Sequence, residues 1–286
     1  MYFEAKYRYL VWSGSISVGL SILVVSVLQG LYSPAPPFYI PLDTKANNAL
    51  AMSVLIVLLV PSILDSFNLS YVRSVERNLP RFLRAVTEST SAGMILPRAL
   101  SEVAESDYGP ISREVGLAVS RFTLGRDFSE AITEAGRRLR HPLARQVAVL
   151  ISEAQAAGGR MRGVLESGVE LYSTFSEHRE ERRAELKPYL TLVYISLVIY
   201  LLVCYVAITQ FLAPVITLQA ASKVPFLTSN LSLSYFKSIF FWAGILESVF
   251  GGLVAGKISE GAASAGLKHS VILLILTLLF FNLLIF

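Results

Sequence analysis

The stretch GGLVAGKI, residues 251–258, decides what kind of protein this chain is. Gly251, four residues, Gly256 and Lys257 make up most of the phosphate-cradling signature of a nucleotide-binding loop. That loop needs a Ser or Thr after the lysine to hold Mg²⁺, a buried strand before it and a helix opening behind it. Here Ile258 follows the lysine, and Gly251 comes late in the apolar helical run FFWAGILESVF (240–250). A membrane helix accounts for the same residues. Gly252 and Gly256 form a GxxxG pair, with Gly244 eight residues earlier on nearly the same face. Small residues let helices approach closely in lipid, where the hydrophobic effect gives no help. The glycines are read as a packing face, and Lys257 as the end of a span.

The composition agrees. Of 286 residues, 53% are hydrophobic and 16% charged, well below the roughly 25% charge of soluble domains. The apolar residues gather in five runs: Leu10–Leu31, Leu50–Leu64, Tyr189–Leu212, Ser238–Ala255 and Ser270–Phe286. Each approaches the length needed to cross about 30 Å of hydrocarbon as a helix. The first run lacks a small-residue cleavage site and reads as an uncleaved span. Two connectors stand outside this pattern. Residues 33–47, with Pro34, Pro36, Pro37 and Pro41, read as a stiff link, and 213–236 reads as a polar loop.

Basic residues give the orientation. With 67–188 inside, 22 of the 25 Lys and Arg are cytoplasmic, and only Lys45, Lys223 and Lys237 remain outside. The short segments point the same way as the long one. A cytoplasmic N-terminus and an external C-terminus follow. Cys204, the single cysteine, lies inside the third run, so no intramolecular disulfide is possible.

The polar block 67–188 carries 18 Lys and Arg against 16 Asp and Glu. That balance argues against nucleic acid, which calls for a patch of one sign. Its periodicity is helical. Leu79, Phe82, Leu83 and Val86 recur at i, i+3, i+4 and i+7, and Ile111, Val115, Val119 and Phe122 follow a helical spacing of threes and fours behind Pro110. Asp127 with Glu130 makes a capping-box variant. The block is also repetitive. Gly93, Gly125 and Gly158 are spaced by 32 and 33 residues, and each is followed at +3 by Leu96, Phe128 or Met161. At +6 and +7 come Ala99-Leu100, Ala131-Ile132 and Val164-Leu165. A unit of helix, left-handed glycine turn and helix, used three times, predicts a six-helix bundle. The last helix runs through SEHREERRAELK (176–187), a solvated charged face, toward the membrane.

The fold class is therefore all-α: a multi-pass helical membrane protein with a cytoplasmic six-helix bundle. Residues 1–66 form a membrane hairpin of two spans, 67–188 the bundle, and 189–286 a membrane region of three spans.

At this point a family resemblance enters. GLVAGKISEGAASAGLKHS (252–270) closely resembles the C-terminal signature of the archaeal platform proteins of type IV-pilus-like machines, the archaellum among them. LPRFLRAVTESTSAGMILPRAL (79–100) and LISEAQAAGGRMRGVLE (150–166) resemble the two halves of the type II secretion F domain. The resemblance implies a non-catalytic membrane platform without a cofactor. Its partners would be a cytoplasmic assembly ATPase and pilin-like or archaellin-like subunits. Longer archaellum relatives carry two such domains where this chain has one, so a homodimer or a pair with a paralogue is expected.

Chemistry of other kinds finds little support. His141, His178 and His269 lie far apart, without a metal-ligand partner at i+3 or i+4, and read as surface or helix-end residues. Asp65, at the end of the second run, reads as sitting in headgroup water. Glu153, between Ile151 and Ala154, reads as a salt bridge inside the bundle, with a partner contact as the alternative. Glu247 is the one acid in the fourth run, and it is flanked by Gly244 and Gly251. It carries the different-class alternative, a transporter or channel. No inverted repeat or pair of interrupted helices accompanies it. An intramembrane enzyme would need a second polar group at that depth, and the sequence marks none.

Overall fold

The computed structural model of the protein describes residues 5–29, 40–216 and 233–286. Pro34, Pro36 and Pro37 of the first connector, and residues 217–232 of the second, lie outside them. Among the described residues there is no strand. The helices are α1 (Ala5–Leu28), α2 (Thr44–Ser91), α3 (Leu96–Ala104), α4 (Pro110–Thr123), α5 (Phe128–Arg138), α6 (Pro142–Ala156), α7 (Met161–Val206), α8 (Leu233–Glu260) and α9 (Leu267–Phe280). Four of them, α1, α2, α7 and α8, are long and apolar enough to cross a membrane, and so is the segment Ala263–Ile285, which is α9 with the helical turns that flank it. The chain is a multi-pass membrane protein. GGLVAGKI lies wholly within α8, which continues past Lys257 to Glu260 and stops before Gly261 at φ 75°. No phosphate loop exists there.

The chain divides into two compact units, Phe67–Ala184 on one hand and Ala5–Ser66 with Glu185–Phe286 on the other. Two helices, α2 and α7, contribute to both. Pro188 sits inside α7, where the ring removes one backbone hydrogen bond. It falls at the change from charged to apolar sequence.

The polar unit is built from six helical segments: the end of α2, α3 to α6, and the start of α7. Gly93, Gly125 and Gly158 have φ of 97°, 93° and 54°, a region open to glycine at little steric cost. Each follows the end of a helix, and Leu96, Phe128 and Met161 are the first residues of α3, α5 and α7. Behind them Leu100, Ile132 and Leu165 enter one core with Leu79, Phe82, Leu83, Val115 and Ile151. Burying each large side chain contributes about 1.5–3 kcal/mol. Asp127 accepts from the Glu130 amide at 3.0 Å and caps α5. The α3–α4 and α5–α6 turns meet the start of this unit's α2 segment. A Cβ at Gly109 would reach Ser74, and the Tyr71 hydroxyl donates to the Leu139 carbonyl at 3.4 Å. The three glycine turns alternate with those two along the chain, which puts them at the other end of the up-and-down bundle.

The membrane unit has its own core of Leu55, Leu197, Leu201, Phe241, Leu273 and Phe281. Its helices are also tied by polar groups. Asn47 donates to Ser238 at 2.9 Å and accepts from the Trp242 indole at 2.8 Å, and Ser248 meets Thr277 at 2.8 Å. The glycine face of α8 is filled from within the chain. A Cβ on Gly252 would overlap the Ser270 backbone at the start of α9, and one on Gly256 would overlap the backbone of Ala265 and Gly266. That occupancy removes the face as a seat for a second copy. Asp65 corrects its reading as a headgroup residue. It is 7% exposed and sits 3.2 Å from the Arg8 guanidinium of α1, because charge at this depth is better paired than left in the lipid boundary.

Candidate functional sites on the two units

In the polar unit, Glu76 of α2 gathers cations from two other elements. Arg179 of α7 donates to Oε1, and Arg183 one turn later donates to Oε2 at 3.3 Å. His141 Nε2 approaches Oε1 at 3.3 Å. The ring is also the N-cap of α6, accepting the Leu143 amide at Nδ1. A ring that accepts at Nδ1 carries its proton on Nε2, the nitrogen that faces Glu76. Burial alone would push the Glu76 carboxyl up. The His141 hydrogen bond and the charges of Arg179 and Arg183 outweigh it and hold the group below the usual carboxylate range. Beside the cluster is a cavity of about 320 Å³ lined by residues of α2 and α7, with Leu143 at its edge.

In the membrane unit, Glu247 is half-buried on α8 and accepts a hydrogen bond from Ser196 of α7 at 3.1 Å. Ser196 is the second polar group at membrane depth that the sequence did not mark, because a serine inside an apolar run carries no charge signal. Tyr200, one turn along, spends its hydroxyl on the Phe240 carbonyl at 2.7 Å. Gly244 packs against Thr277 and Tyr200, and Gly251 faces Val193.

Glu153 corrects its reading as an internal salt bridge. The buried stripe of α6 is Ala144, Val147, Ala148, Ile151 and Ala154, and Glu153 falls off it, exposed and without an ion pair among the described residues. Of the histidines, His178 is exposed beside Glu181, while His141 and His269 are buried. His269 meets the Tyr194 hydroxyl at 2.7 Å near the start of α9. No metal-binding group of His, Cys, Asp and Glu occurs among the described residues. The end of the polar unit with the glycine turns exposes two bulky apolar side chains, Ile95 at 69% and Leu124 at 86%.

Comparison with known proteins bears on these features. Residues 82–209 match the family of type II secretion system (T2SS) protein F. An uncharacterized protein of Methanocaldococcus jannaschii is 26% identical over 232 residues, which cover 80% of this chain and 37% of the relative. The chain thus spans little more than a third of that relative's length. No solved structure matches it. The family match begins inside the buried stripe of α2, takes in α3 to α6, and follows α7 through its apolar run. Over residues 82–209, then, a helical bundle that continues into a membrane-spanning helix is similar to the type II secretion F domain.

Proposed function

We propose that the chain is the integral membrane platform of an archaeal type IV-pilus-like filament or secretion system. In this reading it couples a cytoplasmic assembly ATPase to the insertion of pilin-like subunits, and it performs no chemistry itself. The observation that carries the reading is the F-domain match laid over a helical bundle that continues into membrane spans. The archaeal relative supports the archaeal assignment. The 22-to-3 division of basic residues supports a cytoplasmic polar unit, with the N-terminus inside and the C-terminus external. Membrane lipid is then the solvent of five spans, and a second copy or a paralogue completes the working unit through a surface other than the α8 glycines.

The ATPase would dock on the glycine-turn end of the bundle, where Ile95 and Leu124 stand in water. Isolated exposed apolar residues are ordinary, but two bulky ones at one tip of a helical unit fit a contact surface. The test is capture of the tagged full chain from native membranes, with associated ATPases identified by mass spectrometry. Leu124→Asp should leave the helix content unchanged and cut ATPase recovery at least about tenfold, the loss expected from one well-buried contact. Wild-type membranes that yield no secretion ATPase under mild cross-linking would overturn the platform reading. Full recovery with Leu124→Asp would move the docking site elsewhere.

A further inference from the structure

Four arginines converge on the cavity beside Glu76: Arg73 and Arg77 from α2, Arg179 and Arg183 from α7. Only two carboxylates, Glu76 and Glu180, line the same space. Among the lining residues four positive charges face two negative ones, a surplus of two. The crowding is felt at Arg73. Burial first, and then the charge of Arg183, pull its guanidinium below its ordinary value, with Glu76 opposing them. Hydroxyls of Ser70, Ser74 and Ser176 complete the polar lining.

Guanidinium forks match tetrahedral oxyanions in two-point hydrogen bonds, and short hydroxyls serve the remaining oxygens. A volume of about 320 Å³ stands at the lower end of small-ligand pockets, roughly 300–1,000 Å³. We propose that this cavity binds a phosphate group. Arg73 lies nine residues after the apolar run that ends at Leu64, and Arg183 six before the run that opens at Tyr189. Basic clusters beside a span are where anionic headgroups are met. A lipid phosphodiester is one source of the ligand, and free phosphate is the other. The inference is independent of the proposed ATPase and pilin partners.

The test uses the full chain in detergent, stripped of lipid, titrated with phosphatidylglycerol, phosphatidylcholine or inorganic phosphate and read by native mass spectrometry and thermal shift. Arg73→Gln with Arg77→Gln is the informative pair, because Glu76 keeps His141, Arg179 and Arg183. Arg98→Gln with Arg113→Gln, exposed residues outside the cavity, makes the same charge change as a control. Saturable phosphatidylglycerol binding should weaken about tenfold or more in the first pair and hold in the control. Binding of phosphatidylglycerol alone assigns a headgroup, and binding of inorganic phosphate alone assigns a soluble ligand. Either outcome supports the site. Two results overturn it: wild type that binds neither saturably, or a folded Arg73/Arg77 variant that binds as tightly as wild type. Should that variant not fold, wild type decides alone, and its failure to bind any of the three probes saturably sinks the proposal.

Discussion

Ser196 donates a hydrogen bond to Glu247 at 3.1 Å, joining α7 to α8 inside two apolar runs. An ionised carboxylate near the middle of a span costs about 2.5–3.5 kcal/mol on insertion scales, so the bond gives this acid a place in the fold. Interhelical hydrogen bonds in membranes average about 0.6 kcal/mol. Glu247→Gln keeps shape and acceptor and should match wild type in melting and in filament output. Glu247→Leu should lose about that average, with reduced output. A Gln variant that is stable and bound to its ATPase yet makes no filaments would show instead that the acid itself acts on the passing subunit. Transport of a solute by the purified chain in liposomes, abolished by Gln, would revive the channel reading.

Glu76 gives the polar unit a defined acid sensitivity. Its carboxyl is held below the ordinary value of 4.5 in the folded state, so the unfolded chain takes up this proton at higher pH. The stabilisation is fully present above that value and is lost as pH falls through it toward the folded one. Glu76→Gln should lower stability at pH 7 by about 2 kcal/mol, since it leaves two arginines and His141 short of an acceptor. It should also flatten the decline in melting temperature between pH 5 and pH 3.5. Equal acid slopes for variant and wild type would remove Glu76 as the group responsible.

Two adjacent glycines of the opening stretch should behave oppositely. A Cβ at Gly251 would lie 3.4 Å from a Val193 methyl, at the edge of ordinary contact. At Gly252 the same atom would collide with the Ser270 backbone, which has no rotamer to change. Gly251→Ala should shift stability by less than about 0.5 kcal/mol, the usual scale of a tolerated surface change. Gly252→Ala should cost about 2–3 kcal/mol or more, as overpacking does. Melting of the two variants in one detergent decides it, and equal tolerance would mean that α8 and α9 are not closely packed at Ser270.

These residues also show how far sequence reaches. The five spans are visible because hydrocarbon demands long uncharged runs, and the six helical segments because Gly93, Gly125 and Gly158 punctuate the chain at nearly equal intervals. The Asp127 cap is visible because it acts within three residues. What escapes is whatever depends on helices meeting. Glu76 and Arg179 are 103 positions apart, and no spacing rule joins them. His141 looks isolated because its partner is on another helix, and Asp65 looks solvated until Arg8 is seen beside it. One signal was there to use: Glu76 is the first acid of the polar block that opens at Phe67, and it stands between Arg73 and Arg77. The GxxxG pair was legible as a packing face, but its occupant, the start of α9, was not.

Orientation rests on the basic residues, and a labelling experiment decides it. Cys204 is 1% exposed within the membrane unit, so replacing it with Ser gives a quiet background at small cost. Leu124 is nearly fully solvent-exposed and outside every core contact, which makes Leu124→Cys a reporter of the polar unit. Ser222, beyond the described residues, reports the loop between the third and fourth runs. With intact cells and a membrane-impermeant maleimide, Ser222→Cys should react and Leu124→Cys should not; permeabilised cells should label both. The expectation follows from the cost of translocating charge: short flanking segments with Lys6, Arg8, Lys257 and Lys268 stay on the side where the membrane potential favours them. Labelling of Leu124→Cys alone in intact cells would invert the topology. It would also deny the polar unit access to any cytoplasmic ATPase, so the platform reading would fall with it.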